Sequence, residues 1–237
     1  AVKVKNDPAY RSGPKTFEGY DLQDILALLP GYKDIDWKEN RLRFSSRDGY
    51  ATVFPIEAVR GNRGVVATKV VGLKPGQTWD TYEHGKVTDT PDPFYLVWEN
   101  EDFGPKRPWP YQLTRIEVLS MAGLYGVVKP KDDDAQVAAG FASFKKNCMA
   151  CHSMNLRGGT MGPELNVPKN ILEYRSEEQV FAFIKSPEDF RSRSAMPAMD
   201  SLGDEKIRAV LAYLKSMKTQ KVCTEAEQCA DIALELP

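Results

Sequence analysis

The apolar residues of the chain follow two different periods, one in each half. In the second half they recur every three or four residues from Ala135 to Asn147 and again from Asp204 to Met217, which predicts two amphipathic helices. Asp134 stands directly before the first of these, where a carboxylate caps the free backbone N–H groups of a helix. In the first half apolar and polar residues alternate over short runs, which predicts strands.

The first half combines these strands with one short helix, which Asp21 is predicted to open and Pro30-Gly31 to end. The sequence Arg47-Asp48-Gly49 lies between two alternating runs, Leu42 to Ser45 and Tyr50 to Ile56, and Asp-Gly in that setting is a strong hairpin signal. Further strand candidates are Val65 to Val71, Phe94 to Trp98 and Leu113 to Leu119. This half is therefore predicted to be a β-rich α+β domain.

Composition and charge narrow the class of protein. The 237 residues are 42% hydrophobic and 27% charged, an ordinary soluble composition for one or two domains. Nothing approaches the run of about 18 apolar residues that a transmembrane helix needs, and a net charge of −1 is too balanced to indicate a nucleic-acid partner. The polar segment 128–133 is a predicted linker between a domain at 1–130 and a second one at 131–237.

The strongest chemical signal is Cys148-Met149-Ala150-Cys151-His152. C-x-x-C-H is the attachment pattern of c-type haem. One turn of chain presents both thiols to the two vinyl groups at a porphyrin edge, and the next residue reaches the iron. The pattern predicts that Cys148 and Cys151 bind one haem covalently and that His152 is its proximal iron ligand.

Zinc binding and thiol redox chemistry are the alternatives for this motif. A structural zinc site would need two further ligands. The remaining candidates for them are His84, Cys223 and Cys229. A thioredoxin-like pair of thiols would follow a strand in a βαβ unit, whereas here the motif follows a helical pattern.

The motifs of the second half resemble those of class I cytochrome c over about the last 100 residues. The shared motifs are Gly140-x3-Phe144-x3-Cys148-x2-Cys151-His152, Gly162-Pro163, Met196-Pro197 and Tyr213-Leu214. The resemblance implies an all-α cytochrome c fold in which Gly140 lets the first and last helices cross closely, with Phe144 and Tyr213 packed at the crossing. It also places Gly162 and Pro163 at the haem, with the Pro163 carbonyl accepting a hydrogen bond from the proximal imidazole.

The same resemblance implies that Met196 is the distal iron ligand, a soft thioether that favours ferrous iron and raises the reduction potential. Met199 is the alternative, because a methionine is often a core residue rather than a ligand. An open sixth position is a further possibility. His84 is the second histidine of the chain, and its polar surroundings predict a solvent-exposed side chain.

Cys223 and Cys229 lie beyond the predicted last helix in polar surroundings. Their spacing suits a small disulfide loop that pins the C-terminal tail, with two unpaired thiols as the alternative. A disulfide is typical of an oxidising compartment. The chain starts Ala1-Val2-Lys3 without a methionine, as a processed, exported protein would or as an arbitrary boundary would. Together with the haem motif, this predicts a periplasmic location.

The first half resembles the molybdopterin-binding domain of the sulfite oxidase family. The resemblance lies in the short helix ahead of the strands, in the hairpin sequence Ser45-Ser46-Arg47-Asp48-Gly49-Tyr50 and in the closing apolar strands. Those enzymes bind molybdenum through a cysteine, and residues 1–147 contain none. The resemblance therefore implies a relative without the cofactor, used for structure or docking.

The function predicted from these features is single-electron transfer by one covalently bound haem c. The partners would be redox proteins, such as a periplasmic dehydrogenase or a terminal oxidase or reductase. The main alternative is a molybdenum-cofactor oxidoreductase of the sulfite oxidase type, or its haem subunit. A gas-binding haem sensor is a third possibility, and it would require that neither Met196 nor Met199 binds the iron.

Overall fold

The computed structural model describes residues 1–10, 13–84, 87–99 and 107–234. Two compact units divide the chain, Ala1–Met121 and Ala122–Pro237. No helix within those described ranges is both long and apolar enough to cross a membrane.

The N-terminal unit is β-rich, as predicted, and its paired strands are antiparallel. Its elements in chain order are β1 (Val2–Val4), β2 (Lys15–Asp21), α1 (Leu22–Ala27), β3 (Asn40–Ser46), β4 (Ala51–Phe54), α2 (Ile56–Val59), β5 (Gly64–Val70), β6 (Tyr82–His84), β7 (Val87–Asp89), β8 (Tyr95–Trp98) and β9 (Leu113–Ser120). One sheet has the order β1-β2-β5-β8, a second has the order β4-β3-β9, and β6 pairs with β7. The predicted hairpin is confirmed as β3 and β4, and α1 begins after the predicted cap Asp21.

The alternation along β3 shows why these residues form a strand with one buried face. Leu42, Phe44 and Ser46 are buried while the residues between them are half-buried, which is the period of two that a sheet over a core imposes. All four residues of β8 are buried, so this strand is covered on both faces. A continuous apolar run is what such a strand needs.

The first ten residues contain a strand, β1, that was not predicted from the sequence. Val2 and Val4 are buried in β1, which pairs with β2. The buried Asp7 carboxylate accepts hydrogen bonds from the Ala9 and Tyr10 backbone N–H groups. Burial raises the pKa of Asp7 above its ordinary value. The strand was missed because only two apolar residues mark it.

The C-terminal unit is mainly helical. Its elements in chain order are α3 (Met121–Tyr125, at the junction), α4 (Ala135–Asn147), β10 (Ser153–Met154), β11 (Arg157–Gly158), α5 (Glu177–Lys185), α6 (Pro187–Phe190), α7 (Asp204–Met217) and α8 (Ala226–Leu234). The two predicted helices are confirmed as α4 and α7, and the predicted cap Asp134 accepts from the N–H groups of Gln136 and Val137. A purely helical fold was expected, but β10 and β11 form a small hairpin.

Helices α4 and α7 cross at Gly140, as the resemblance implied. A Cβ atom at Gly140 would lie 2.6 Å from the backbone carbonyl carbon of Ala209 and 2.9 Å from Tyr213 Cβ. Both distances are far shorter than van der Waals contact. The Phe144 and Tyr213 rings pack beside the crossing with their centroids 5.2 Å apart. A hydrogen atom in place of a side chain therefore allows the two helices to touch.

The residues just after the unit boundary pack against α7 and the loop after α4, so the predicted linker is part of the C-terminal unit. Val128 is fully buried in the helical core, and its carbonyl accepts a hydrogen bond of 2.8 Å from the Tyr213 hydroxyl. The Lys131 N–H donates to the Gln220 side chain. The two compact units divide after Met121, whereas the boundary predicted from the sequence lay at residue 130. The polar composition of the segment gave no sign of these contacts.

The predicted disulfide between Cys223 and Cys229 is confirmed, with the two Cα atoms 5.4 Å apart. Its surroundings differ from the expected polar loop, because Cys229 lies within helix α8. The two cysteines form a small apolar cluster with Val167, and Leu156 and Ile232 pack against it. The disulfide therefore links α8 to the residues just before it, and the apolar cluster packs both cysteines against Val167 and Leu156.

Replacing both Cys223 and Cys229 by serine is expected to loosen α8. Closing a loop of about seven residues stabilises a fold by about 2 kcal/mol through the entropy of the unfolded chain, so amide hydrogen exchange in α8 should accelerate about 30-fold. Exchange followed by mass spectrometry measures this, with α4 as the internal control. Equal exchange rates for α8 in the variant and the parent chain would contradict the role given to the disulfide.

Candidate functional site

The C-x-x-C-H motif forms a single turn directly after α4. Cys148 caps the helix, and the backbone N–H groups of Cys151 and His152 both donate to the Cys148 carbonyl, at 3.0 and 2.9 Å. Both motif cysteines are half-buried thiols. The helix thus holds the first cysteine, and the turn holds the second cysteine and the histidine.

The environment of Cys148 differs from that of a reactive thiol. Burial, and to a lesser degree the neighbouring Cys151, raises the pKa of Cys148 to about 12. Thiol redox enzymes instead lower the pKa of the attacking cysteine so that a thiolate is present at neutral pH. The local environment therefore disfavours the thioredoxin-like alternative.

His152 is oriented by a backbone carbonyl. Its Nδ1 atom lies 2.9 Å from the carbonyl oxygen of Pro163. Because a carbonyl can only accept, Nδ1 carries the proton and the neutral imidazole keeps its lone pair on Nε2. This arrangement is the one in which metal-binding histidines are held, with the other ring nitrogen donating to a carbonyl or carboxylate.

Gly162 lies against the face of the same imidazole. A Cβ atom there would lie 2.6 Å from His152 Nδ1 and 2.8 Å from Nε2, so any larger residue would displace the ring. The Gly162 N–H also donates to the Cys151 carbonyl at 2.7 Å. The structure therefore brings together Cys148, Cys151, His152, Gly162 and Pro163.

Met196 and Met199 lie in the irregular segment between α6 and α7, and both are half-buried. The Met196 N–H donates locally, to the Ser194 hydroxyl at 3.2 Å. The Met199 N–H donates to the carbonyl of Ile184 in α5 at 3.0 Å. Met196 as distal ligand stays a prediction, with Met199 as its alternative. The side chain of His84 lies outside the described part of the chain.

The apolar surroundings of the motif suit a large flat apolar cofactor. Cys148 packs against the helical core, and half-buried apolar side chains surround the same cluster. They include Leu165, Leu172, Val180, Phe181 and Ile184. Helix α5 carries three of these, yet its side chains are at most half-buried. Partly exposed apolar side chains on the same core as Cys148, together with a correctly oriented imidazole at His152, fit a haem.

The zinc alternative lacks its ligands. Cys223 and Cys229, which it would require, are bonded to each other. Among the described residues, there is no group of three or more histidine, cysteine, aspartate or glutamate side chains that could hold a metal ion.

Two parts of this region were not predicted from the sequence. Helix α5 was missed, although Ser176 and Gln179 form the reciprocal capping box that marks a helix start. Glu164 was also missed. Its carboxylate binds several backbone N–H groups on both sides of Gly162-Pro163 in the sequence, and a lone glutamate carries no pattern that reveals such a role.

Comparison with known proteins supports a haem-binding assignment for this region. The cytochrome c family matches residues 137–218. Cytochrome c oxidase subunit 2 of Alkalihalophilus pseudofirmus (strain ATCC BAA-2126 / JCM 17055 / OF4) is 31% identical over 85 residues, which are 33% of this chain and 25% of that protein. The match thus spans about a quarter of that relative's length. No solved structure matches the chain significantly.

Proposed function

From the cytochrome c domain at residues 137–218, we propose that the chain is a monohaem c-type cytochrome that carries single electrons between redox partner proteins. Cys148 and Cys151 would hold the haem through two thioether bonds, and His152 would bind its iron. The observation that carries this proposal is the 2.9 Å hydrogen bond between His152 Nδ1 and the Pro163 carbonyl. It leaves Nε2 as the metal-binding nitrogen.

Different residues of the site bind the haem, orient the proximal imidazole and exclude water. When haem is bound, its iron accepts and returns one electron. The Pro163 carbonyl fixes the tautomer and the direction of the His152 ring. Met196 would supply a thioether ligand to the bound haem iron, which would favour electron transfer over oxygen chemistry. Helix α5 excludes water with its apolar face.

We also propose that the N-terminal unit is a module without a cofactor that orients a redox partner or serves a structural role. Its antiparallel sheets and the absence of cysteine from residues 1–147 support this proposal. The unit resembles the sulfite oxidase family but lacks the cysteine through which those enzymes bind molybdenum. A periplasmic location is proposed with it. The disulfide supports that location, because such bonds persist in oxidising compartments.

Expression with a c-type haem maturation system tests the proposal. The full chain is expected to gain the mass of one haem that survives denaturation, and metal analysis should find one iron and no molybdenum. The double replacement of Cys148 and Cys151 by serine should abolish covalent attachment. The matched control replaces Cys223 and Cys229 by serine and should keep it. A chain that gains no covalent haem would refute the proposal, and stoichiometric molybdenum would favour the oxidoreductase.

A further inference from the structure

The turn between β10 and β11 holds two residues in a left-handed conformation. Asn155 has φ 53° and Leu156 has φ 64°. For an L-residue such as leucine this region costs roughly 1–2 kcal/mol, whereas asparagine tolerates it better. A turn of this kind needs an interaction that holds it in place.

The carboxylate of Glu164 provides that interaction. It accepts hydrogen bonds from the N–H groups of both turn residues, Asn155 at 3.0 Å and Leu156 at 2.9 Å. The same carboxylate also accepts from the N–H groups of Asn166 at 2.8 Å and Val167 at 3.2 Å, further along the chain. One side chain therefore closes residues 155–167 into a ring, and charged acceptors form the stronger class of hydrogen bond.

Three buried asparagines connect this ring to α7 and to the segment before α4. The side chain of Asn170 donates to Asn166, and the side chain of Asn166 donates to Asn155, at 2.7 and 2.8 Å. Asn170 also donates to the Leu214 carbonyl at 2.8 Å. Asn155 donates to the carbonyls of Val127 and Gln220. All three asparagines are at most 2% exposed, so each lost bond would leave a buried polar group unpaired.

The ring encloses the residue that orients His152. Pro163 directly precedes Glu164, and its carbonyl is the acceptor for His152 Nδ1. The Leu165 N–H, which belongs to the ring, donates to the carbonyl of Ser153, just outside it, at 3.0 Å. Glu164 fixes both ends of the segment 155–167. This segment in turn sets the position of the Pro163 carbonyl relative to the imidazole of His152.

We propose that Glu164, supported by Asn155, Asn166 and Asn170, is a positioning residue for the proximal imidazole. This inference rests on the proposed function, in which His152 binds the haem iron. A well-made bond from Nδ1–H to the carbonyl increases the basicity of the imidazole and so favours ferric iron. Loosening the ring weakens that bond and shifts the iron toward the ferrous state.

The test measures the reduction potential of the haem-loaded full chain with Glu164→Gln and with Asn166→Ala. Both variants are expected to change the ferrous-to-ferric ratio at a fixed applied potential about threefold in favour of ferrous iron, which is about 30 mV at 59 mV per tenfold. Removing the negative charge of Glu164 also favours ferrous iron by itself. The result of Asn166→Ala, which changes no charge, therefore distinguishes loss of positioning from loss of charge. Glu177→Gln is the matched control, because it removes one exposed carboxylate from α5 and leaves the ring untouched.

A second measurement on the unmodified haem-loaded chain does not depend on whether a variant folds. The His152 Nδ1 proton and the Asn155 and Leu156 amide protons are expected to exchange with solvent through one common opening, with protection factors that agree within about threefold by nuclear magnetic resonance. Free exchange at His152 beside protected amides would overturn the inference. So would an Asn166→Ala variant that melts earlier at an unchanged potential. A parent chain that binds no haem would instead refute the proposed function.

Discussion

Replacing Met196 by alanine is expected to open the sixth coordination position of the haem-loaded chain. The ferrous protein should then bind carbon monoxide within the mixing time, whereas the parent chain should bind it slowly or not at all. Loss of the thioether should also lower the reduction potential by about 0.2 V, a fraction of the ~0.8 V that axial ligands span. Stopped-flow absorbance and potentiometry measure the two effects.

Met199→Ala is the matched control for this experiment. Met199 is the same residue type, lies three positions further on and is also half-buried. It should leave both the carbon monoxide kinetics and the potential close to those of the parent chain. The reverse result, in which Met199→Ala speeds carbon monoxide binding and Met196→Ala has no effect, would identify Met199 as the distal ligand. Rapid gas binding by the parent chain itself would instead favour a sensor.

Replacing Gly140 by valine is expected to separate α4 from α7 and to prevent the C-terminal unit from folding around haem. The first added carbon would meet the backbone of Ala209, which cannot move aside as a flexible side chain could. Overpacking of this kind costs about 3 kcal/mol or more, a large part of the 5–15 kcal/mol that stabilises a typical domain. The yield of haem-loaded protein and its denaturant midpoint measure the loss.

Ala138→Val provides the comparison on the same helix. Ala138 is exposed, so the added methyl groups meet solvent, and the cost is limited to the helix propensity of valine, about 0.5 kcal/mol. Similar haem yields from the two variants would show that the helix crossing tolerates a side chain at Gly140.

The sequence patterns that predicted structure well were those with a fixed local period or spacing. The alternation from Leu42 to Ile56 and the three-to-four repeat in α4 and α7 depend on which face of one element is buried, so a single segment reveals them. The C-x-x-C-H turn depends on the geometry of five consecutive residues. Gly162 and Pro163 were assigned to the site only from the family resemblance, and in the structure they lie against His152.

Features that depend on distant contacts were not predicted. Helix α8 was missed because its sequence is polar at the start, and its apolar contacts with Val167 and Leu156 are made across the fold. The Glu164 ring and the three asparagines were missed for a related reason. A buried polar side chain is stable only where its partners converge. The partners here are backbone N–H groups for Glu164, and backbone carbonyls or other asparagine side chains for the three amides, and no local sequence pattern marks such partners.

The contacts of residues 122–133 bear on how a module of this kind can be exchanged between genes. The family match begins at residue 137, yet the Tyr213 hydroxyl and the Asn155 amide find their acceptors at Val128 and Val127. A recombination event that transferred only the matched stretch would leave two buried donors without acceptors. The stretch that completes its own hydrogen bonds is therefore longer than the stretch that matches the family, and a crossover that kept these contacts would lie before Ala122, where the two compact units divide.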